Sequence, residues 1–457
     1  MPKATLILSL CLLILALLLS PSPALSKEKS NQPIILITGP ETTDFLDELG
    51  KPLLEAAGIS AENVQFHVLL DTSLNAMALE SNDIVFNSGL LLAADTVDEI
   101  AGVMAHEIAH LSSGHHIKLK SEVDNVSLQT LLFGLAGVAA GVVSGNGEVA
   151  QATIIGGTAA GQARLLSGQR QKETQADRLA IYYLAKAGFE PMGLSYFMER
   201  IQREQRENAM PPPYLLSHPL SSDRLVEIRQ MAKEIRPKVL RKQTNLELFH
   251  RVQAKLLASS AATPDMIVHH FQARLDTHPE DPIARYGIAV AQRYTGQLPE
   301  SEAHLTHLLI KQPNDPHLLR ERGRTRMDWG KAALAEEDFQ AALKFRPESQ
   351  DLRYWLAFAL NEQKKYQPAS RILRRLTTEY PKQANYFYLL GMVEGKNSRV
   401  ASGHLALGRY YKLIRERKTA IWHFDEAMRL ASPGALEREI AQGEKSRLVA
   451  LMEEKNK

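Results

Sequence analysis

Residues 106–110 read HEIAH, which is the HExxH pattern typical of zinc metallopeptidases. On a helix, residues four apart lie on one face, so the imidazoles of His106 and His110 can converge on a single metal ion. Glu107 lies about 100° round the helix from His106, where its carboxylate can reach a water molecule rather than the metal. We therefore predict that both histidines bind zinc and that Glu107 is a general base for peptide hydrolysis.

A catalytic zinc ion needs a third protein ligand, and two carboxylates further along the chain are the best candidates. Glu173 and Asp177 are again four residues apart, and the apolar residues that follow them would pack as a core helix. One carboxylate can bind the metal while the other holds the outer nitrogen of a ligand histidine. The alternative is a solvated acidic helix face, and the apolar residues favour the metal site.

The composition indicates a folded, mostly helical protein. The chain has 457 residues, of which 44% are hydrophobic and 23% charged, so extensive disorder is excluded and about three domains can be accommodated. The formal net charge of +2 provides no overall field for nucleic acid. The single cysteine, Cys11, excludes an intramolecular disulfide and a cysteine-based metal site.

The first 26 residues have the pattern of a secretory signal peptide. Lys3 precedes an aliphatic run from Leu6 to Leu19, and small residues follow before a cleavage site near Ser26. We expect export to a bacterial periplasm, with an uncleaved membrane anchor as the alternative. Another apolar segment, residues 131–143, is too short to span a bilayer. It predicts buried helices or, alternatively, a mobile flap that makes peripheral contact with the membrane or touches an unfolded substrate.

The elements that must position these residues are predicted in a front domain at 27–245. Short strands are expected at 34–38 and 64–70, with a hairpin formed by 75–79 and 84–86. Asp95 is expected to cap a helix that carries the HExxH motif to about Ile117. A second helix is predicted from about Lys172 to Ala187, with Gly188 at its end.

Residues 246–457 carry a 34-residue period. Pro279, Pro313, Pro347 and Pro381 are spaced by that interval, which is the length of a tetratricopeptide repeat. We therefore predict a mainly α fold with a small β-hairpin or sheet, in which an HExxH domain is followed by an α-solenoid of such repeats. Arg320 and Arg324 fall at offsets that usually line the concave groove, either as a peptide clamp or as a solvated basic stripe.

With these motifs the sequence resembles the gluzincin metallopeptidases of the HtpX and Oma type. HExxH is followed by ExxxD at 173–177 on a predicted helix. The resemblance is closer to the BepA-like periplasmic proteases, in which a metallopeptidase domain precedes tetratricopeptide repeats. Residues 75–78, 84–89, 104–107 and 217–219 stand where that family has counterparts.

The resemblance implies one zinc ion per chain, bound by His106, His110 and Glu173, with Glu107 as base and Asp177 behind the ligands. It places His218 near the metal, either stabilising an oxyanion or occupying the open position in a latent state. From the residues alone, a loop histidine is more often simply exposed.

The resemblance also implies partners: unfolded or misassembled outer-membrane proteins as substrates, and the outer-membrane assembly machinery through the repeats. Nucleic acid is not expected as a partner. The alternative function is a catalytically silent chaperone or scaffold on the same fold.

Overall fold

The computed structural model describes residues 36–37, 39–79, 81–115, 159–207, 212–237, 239–240, 246–260 and 264–454. The predicted signal peptide at 1–26 and the apolar segment at 131–143 lie outside the described residues. Among the helices that the structure describes, none combines the length and the apolar character needed to cross a bilayer.

A small four-stranded sheet stands at the front of the chain. Its strands are β1 (Leu36–Ile37), β2 (Gln65–Leu69), β3 (Ala76–Ala78) and β4 (Asp83–Asn87), in the order β1-β2-β4-β3. The predicted hairpin is confirmed: β3 pairs antiparallel with β4, and Met77 lies opposite Val85. The sheet is mixed, because β2 runs parallel to β4.

Seven helices complete the front half of the described chain. Their bounds are α1 Pro40–Ala57, α2 Ser88–Ala93, α3 Val97–Ser112, α4 Ala159–Ala187, α5 Met192–Glu207, α6 Pro213–Ser217 and α7 Ser222–Glu234. The helix α3 carries the HExxH motif and is the centre of this half, since it packs against α1, α4 and α5.

The ends of α3 differ from the prediction, whereas the end of α4 agrees with it. Thr96, rather than Asp95, caps α3, because its side chain accepts the backbone N–H of Glu99. The helix ends at Ser112 and not near Ile117. Gly188, at the end of α4, has a φ of 84°, which suits a glycine that terminates a helix.

A close crossing between α3 and α5 fixes the position of α3, which carries the HExxH motif. Gly102 of α3 faces the start of α5, and a Cβ at Gly102 would lie 2.5 Å from the backbone nitrogen of Leu194. A side chain at this position would therefore push α5 away from α3 and shift the residues that follow on the motif helix.

The second half is an array of antiparallel helices. The bounds are α8 Leu246–Ser260, α9 Pro264–Thr277, α10 Pro282–Tyr294, α11 Leu298–Lys311, α12 Pro316–Asp328, α13 Ala332–Leu343, α14 Gln350–Glu362, α15 Tyr366–Glu379, α16 Ala384–Lys396, α17 Val400–Leu413, α18 Arg417–Leu430 and α19 Leu436–Glu454. Consecutive helices pack on each other, as predicted for tetratricopeptide repeats.

The helix α8 belongs to the cores of both halves. Phe249 and Val252 are buried with the core around α3, whereas Ala254 and Ala258 are buried with the core of the array. Because one helix contributes to both cores, the two halves are joined by packing as well as by the chain.

The interpretation of Arg320 and Arg324 as a solvated basic stripe is wrong. Arg320 is only 2% exposed and donates to Asp351 at 2.7 and 2.9 Å. Arg324 is half-buried, with its guanidinium 3.8 Å from the centroid of the Trp355 ring. The sequence pattern could not reveal these neighbours, which lie on the next repeat.

Candidate metal centre

Two crossing helices bring the predicted chemistry together. On α3, His106, Glu107 and His110 are all buried, since the helix is covered on several sides. On α4, Glu173 and Asp177 are also buried and face the same place. The i and i+4 spacing on each helix thus presents two pairs of side chains to one another.

The nitrogen and oxygen atoms of this group converge. His106 Nε2 and His110 Nε2 are 3.0 Å apart. Glu173 reaches both imidazoles, with Oε2 at 3.4 Å from His106 Nε2 and Oε1 at 3.5 Å from His110 Nε2. Together with His218, these three residues offer donor atoms that all lie within 4.8 Å of one another.

Asp177 stands behind His106. Its Oδ1 lies 3.0 Å from His106 Nδ1, on the side of the ring away from Glu173. Arg224, at the start of α7, donates to Asp177 through Nη2 at 2.9 Å and lies 3.1 Å from Glu173 through Nη1. One guanidinium therefore orients both carboxylates of α4.

His218 follows α6 and is buried within the group rather than exposed. Its Nδ1 lies 3.2 Å from Glu173 Oε2, and its Nε2 lies 3.6 Å from Glu107 Oε1. The ring packs on Tyr214, with centroids 4.6 Å apart. The Tyr214 backbone N–H donates to Leu74 O, so the loop before β3 helps to hold His218 in place.

The carboxylates of the group stabilise a positive charge on the buried His106 ring. Burial alone would lower the pKa of His106, but Asp177 and Glu173 raise it to about 9. Burial and the neighbouring His106 and His218 lower the pKa of His110 to about 2. Although burial opposes it, hydrogen bonds from His106 and His218 lower the pKa of Glu173. One positive charge is therefore stabilised at this point of the core.

The donor atoms also fit a bound metal ion. Three buried atoms have no hydrogen-bond partner among the described residues: Glu107 Oε1, His218 Nε2 and the Tyr214 hydroxyl. Buried polar atoms are normally paired, and unpaired ones often mark a ligand site. Two imidazole nitrogens and a carboxylate form a donor set suited to divalent first-row metals.

Sequence reasoning missed two residues of this centre, Arg224 and Tyr214. Both are buried, and both reach the group from segments that follow α5. The residue types gave little signal, because an arginine at a helix start and a tyrosine in a Pro-rich loop are commonly exposed. His115 lies at the rim, with its ring 5.7 Å from that of His110, and His116 is outside the described residues.

Comparisons with known proteins agree with this geometry. Residues 40–232 match the model of peptidase family M48, and residues 327–393 match a tetratricopeptide repeat model. A Vibrio cholerae protein provisionally named a beta-barrel assembly-enhancing protease is 30% identical, over 89% of this chain and 84% of its own length. The beta-barrel assembly-enhancing protease of Escherichia coli K12 is 27% identical, over 79% and 73%.

A more distant relative matches a shorter part of the chain. The mitochondrial metalloendopeptidase OMA1 of Schizosaccharomyces pombe is 23% identical over 43% of this chain and 55% of its own length. The long match to the Vibrio protein spans both halves, including the region of the repeats. The chain is therefore a metallopeptidase of the beta-barrel assembly-enhancing protease family, with a peptidase family M48 domain and tetratricopeptide repeats.

Proposed function

We propose that this chain is a zinc endopeptidase of the periplasm that degrades misfolded or stalled outer-membrane proteins and assists their assembly. The observation that carries the proposal is the buried convergence of His106, His110 and Glu173 beside an unpartnered Glu107 oxygen. The names of the relatives support the cellular role.

In this proposal His106, His110 and Glu173 hold the metal. Zinc suits their nitrogen and oxygen donors, and when bound it would polarise a peptide carbonyl and make water more acidic. Asp177 orients the His106 ring from behind, and Arg224 fixes Asp177 and Glu173. Without these partners the imidazole would be free to rotate within its pocket.

The proton transfers fall to Glu107. Its carboxylate would take a proton from the attacking water and deliver it to the leaving amine. The free Oε1 atom is available for this, since no group of the described chain hydrogen-bonds to it. Burial beside His218 keeps bulk water away from the carboxylate.

For His218 we propose the position of a fourth donor in a resting state. Its distances of 3.2 Å to Glu173 and 3.6 Å to Glu107 support this role. The other role, stabilising an oxyanion, would require the same ring to face the substrate carbonyl. The two roles predict opposite effects of removing the ring.

The proposal also assigns a role to each part of the chain. Residues 1–26 would be removed after export, residues 27–245 would form the metallopeptidase domain, and residues 246–457 would recruit substrates or the assembly machinery. The N-terminal residue of the protein recovered from the cell envelope tests the first point. A start at Lys27 is expected, and a retained leader would instead support the anchored alternative.

Metal content and casein cleavage test the activity. The chain is produced with its own leader, beside Glu107→Gln and the exposed control Glu227→Gln. We expect one zinc ion in all three and cleavage in all but Glu107→Gln. Cleavage by Glu107→Gln would contradict the base assignment, and absence of metal from every form would favour a scaffold role.

A second comparison separates the two roles of His218. We expect His218→Ala to cleave casein faster than the parent, because the open position is no longer filled. The matched control is the exposed His269→Ala, which should behave as the parent. Slower cleavage by His218→Ala with unchanged metal content would support oxyanion stabilisation instead.

A further inference from the structure

One face of the helix array changes from buried to exposed along its length. The residues of this face recur at the 34-residue interval on α10, α12, α14 and α16, and we call them the groove stripe: Tyr286, Arg320, Arg324, Tyr354, Phe358 and Tyr388. Tyr286 is 0% exposed, whereas Tyr388 is 45% exposed. The stripe therefore has a covered end and an open end.

The covered end is occupied by the first turn of α1. Glu41 is fully buried there and accepts hydrogen bonds from the Tyr286 hydroxyl at 3.1 Å and from Lys255 Nζ at 2.8 Å. Asp44 lies 3.3 Å from His317 and 3.1 Å from Arg346. The array thus already binds carboxylates, which are supplied by its own chain.

Arg324, towards the open end, carries a positive charge that Glu321 and Asp351 only partly offset. Arg324 makes no ion pair in the part of the chain that the structure describes, and its Nε is buried without a hydrogen-bond partner. Burial and the charges of Arg320 and Arg293 lower its pKa to about 10. An incoming carboxylate would compensate this charge in partly desolvated surroundings, where such pairing is strong.

The Arg324 guanidinium packs on an aromatic side chain that belongs to a larger group of rings. It lies 3.8 Å above the Trp355 ring, whose centroid is 5.6 Å from that of Tyr354. Tyr388, one repeat further along, is exposed on one side and packs on Tyr410 on the other. These rings offer an apolar surface beside the charge, and aromatic side chains pack well on such surfaces.

We propose that the open end of the groove stripe binds unfolded protein segments in which an acidic side chain neighbours an aromatic side chain. The carboxylate would pair with Arg324, and the aromatic ring would pack against Tyr354 and Tyr388. The occupant of the covered end supports the acidic part of this chemistry, because it presents the carboxylates of Glu41 and Asp44 to the array. This inference rests on the proposed function, because it specifies which protein segments the helix array recruits.

Peptide binding tests the inference without requiring cleavage. The full chain in the Glu107→Gln background is titrated into a fluorescein-labelled hexapeptide with blocked ends, containing two aspartates each followed by phenylalanine. We expect at least about tenfold weaker binding of a twin peptide in which asparagine replaces aspartate. A third peptide has only neutral side chains and a free C-terminal carboxylate, and it should bind as weakly as the twin.

Substitutions at Arg324 and Tyr388 test whether the peptide binds at the open end of the groove stripe. Arg324→Gln should weaken the acidic peptide about tenfold and leave the asparagine twin unchanged. The exposed Arg375→Gln, on α15, is the charge-matched control and should bind as the parent. Tyr388→Ala should weaken both peptides, and it remains informative if Arg324→Gln fails to fold.

The inference is overturned if the acidic peptide and its twin bind equally, or if only the free C-terminal carboxylate is recognised. It is also overturned if neither Arg324→Gln nor Tyr388→Ala weakens binding. Because no peptide is cleaved, these outcomes are independent of whether the metal centre is active.

Discussion

The metal centre differs from a second buried group of charged residues, which we call the docking cluster, in how its side chains are paired. The docking cluster consists of Glu41, Lys255, Tyr286, Arg320 and Glu321. In it, donors and acceptors alternate: Lys255 donates to Glu41 at 2.8 Å and to Glu321 at 2.6 Å. In the metal centre, by contrast, two groups of the same kind also face each other: the Nε2 atoms of His106 and His110 are 3.0 Å apart.

This difference separates a site that holds two parts together from a site prepared for a ligand. Opposite charges in the docking cluster pair with each other, and Lys255 and Arg320 keep the pKa of Glu321 well below its usual range despite burial. The convergent donors of the metal centre are arranged so that a bound cation would complete them. The buried charges of the docking cluster therefore have a structural role, whereas those of the metal centre have a chemical role.

The largest expected effect is the loss of metal when a convergent donor is removed. Glu173→Gln should reduce metal binding to near zero, because the amide loses the charge that both imidazoles face. Metal content of the purified variant measures this. The control is Gln in place of the exposed Glu227, which should retain one ion. A fully loaded Glu173→Gln protein would mean that another residue is the third ligand.

The next effect concerns the docking cluster. Lys255→Met leaves two carboxylates buried without their shared cation, which should lower the free energy of unfolding by about 3–5 kcal/mol. Urea unfolding followed by tryptophan fluorescence reports on the array, since all three tryptophans lie there. Lys311→Met breaks only an exposed pair with Glu280 and should leave the midpoint unchanged. Equal midpoints for both variants would show that the docking cluster does not hold the halves together.

A smaller effect is expected behind the metal ligands. Asp177→Asn should weaken metal binding roughly 10- to 100-fold, because the partner of His106 Nδ1 loses its charge. Competition with a chelator gives the affinity, and the exposed Asp223→Asn serves as control. An unchanged affinity would indicate that Arg224 alone maintains the geometry of the centre.

The smallest expected effect is the change in stability when one tyrosine hydroxyl is removed from the docking cluster or from the metal centre. Tyr286→Phe removes the hydrogen bond to Glu41 and should cost about 1 kcal/mol of unfolding free energy. Tyr214→Phe removes a hydroxyl that has no partner in the described chain and should change stability by less than about 0.5 kcal/mol. The denaturant concentrations at the unfolding midpoints of the two variants test this predicted difference in stability. Equal losses would mean that the Tyr214 hydroxyl is paired in solution.

Much of the architecture could be predicted because it depends on local periodicity. The 34-residue spacing of four prolines indicated the helix array, and the two short runs at 75–79 and 84–86 indicated the β3–β4 hairpin. Helix ends were less accurate, as the shift of the α3 cap from Asp95 to Thr96 shows. Neighbouring cap candidates differ little in free energy, and packing selects between them.

The sequence by itself determined which atoms share a helix face: His106 with His110, and Glu173 with Asp177. This information is local, since a helix brings residues four apart onto one side. Only the tertiary structure decided that these two faces meet, that His218 and Arg224 enter the same group, and that Arg320 is buried. The partners Glu41, Lys255 and Glu321 come from distant segments, so their pairing depends on the packing of whole helices, which no local pattern encodes.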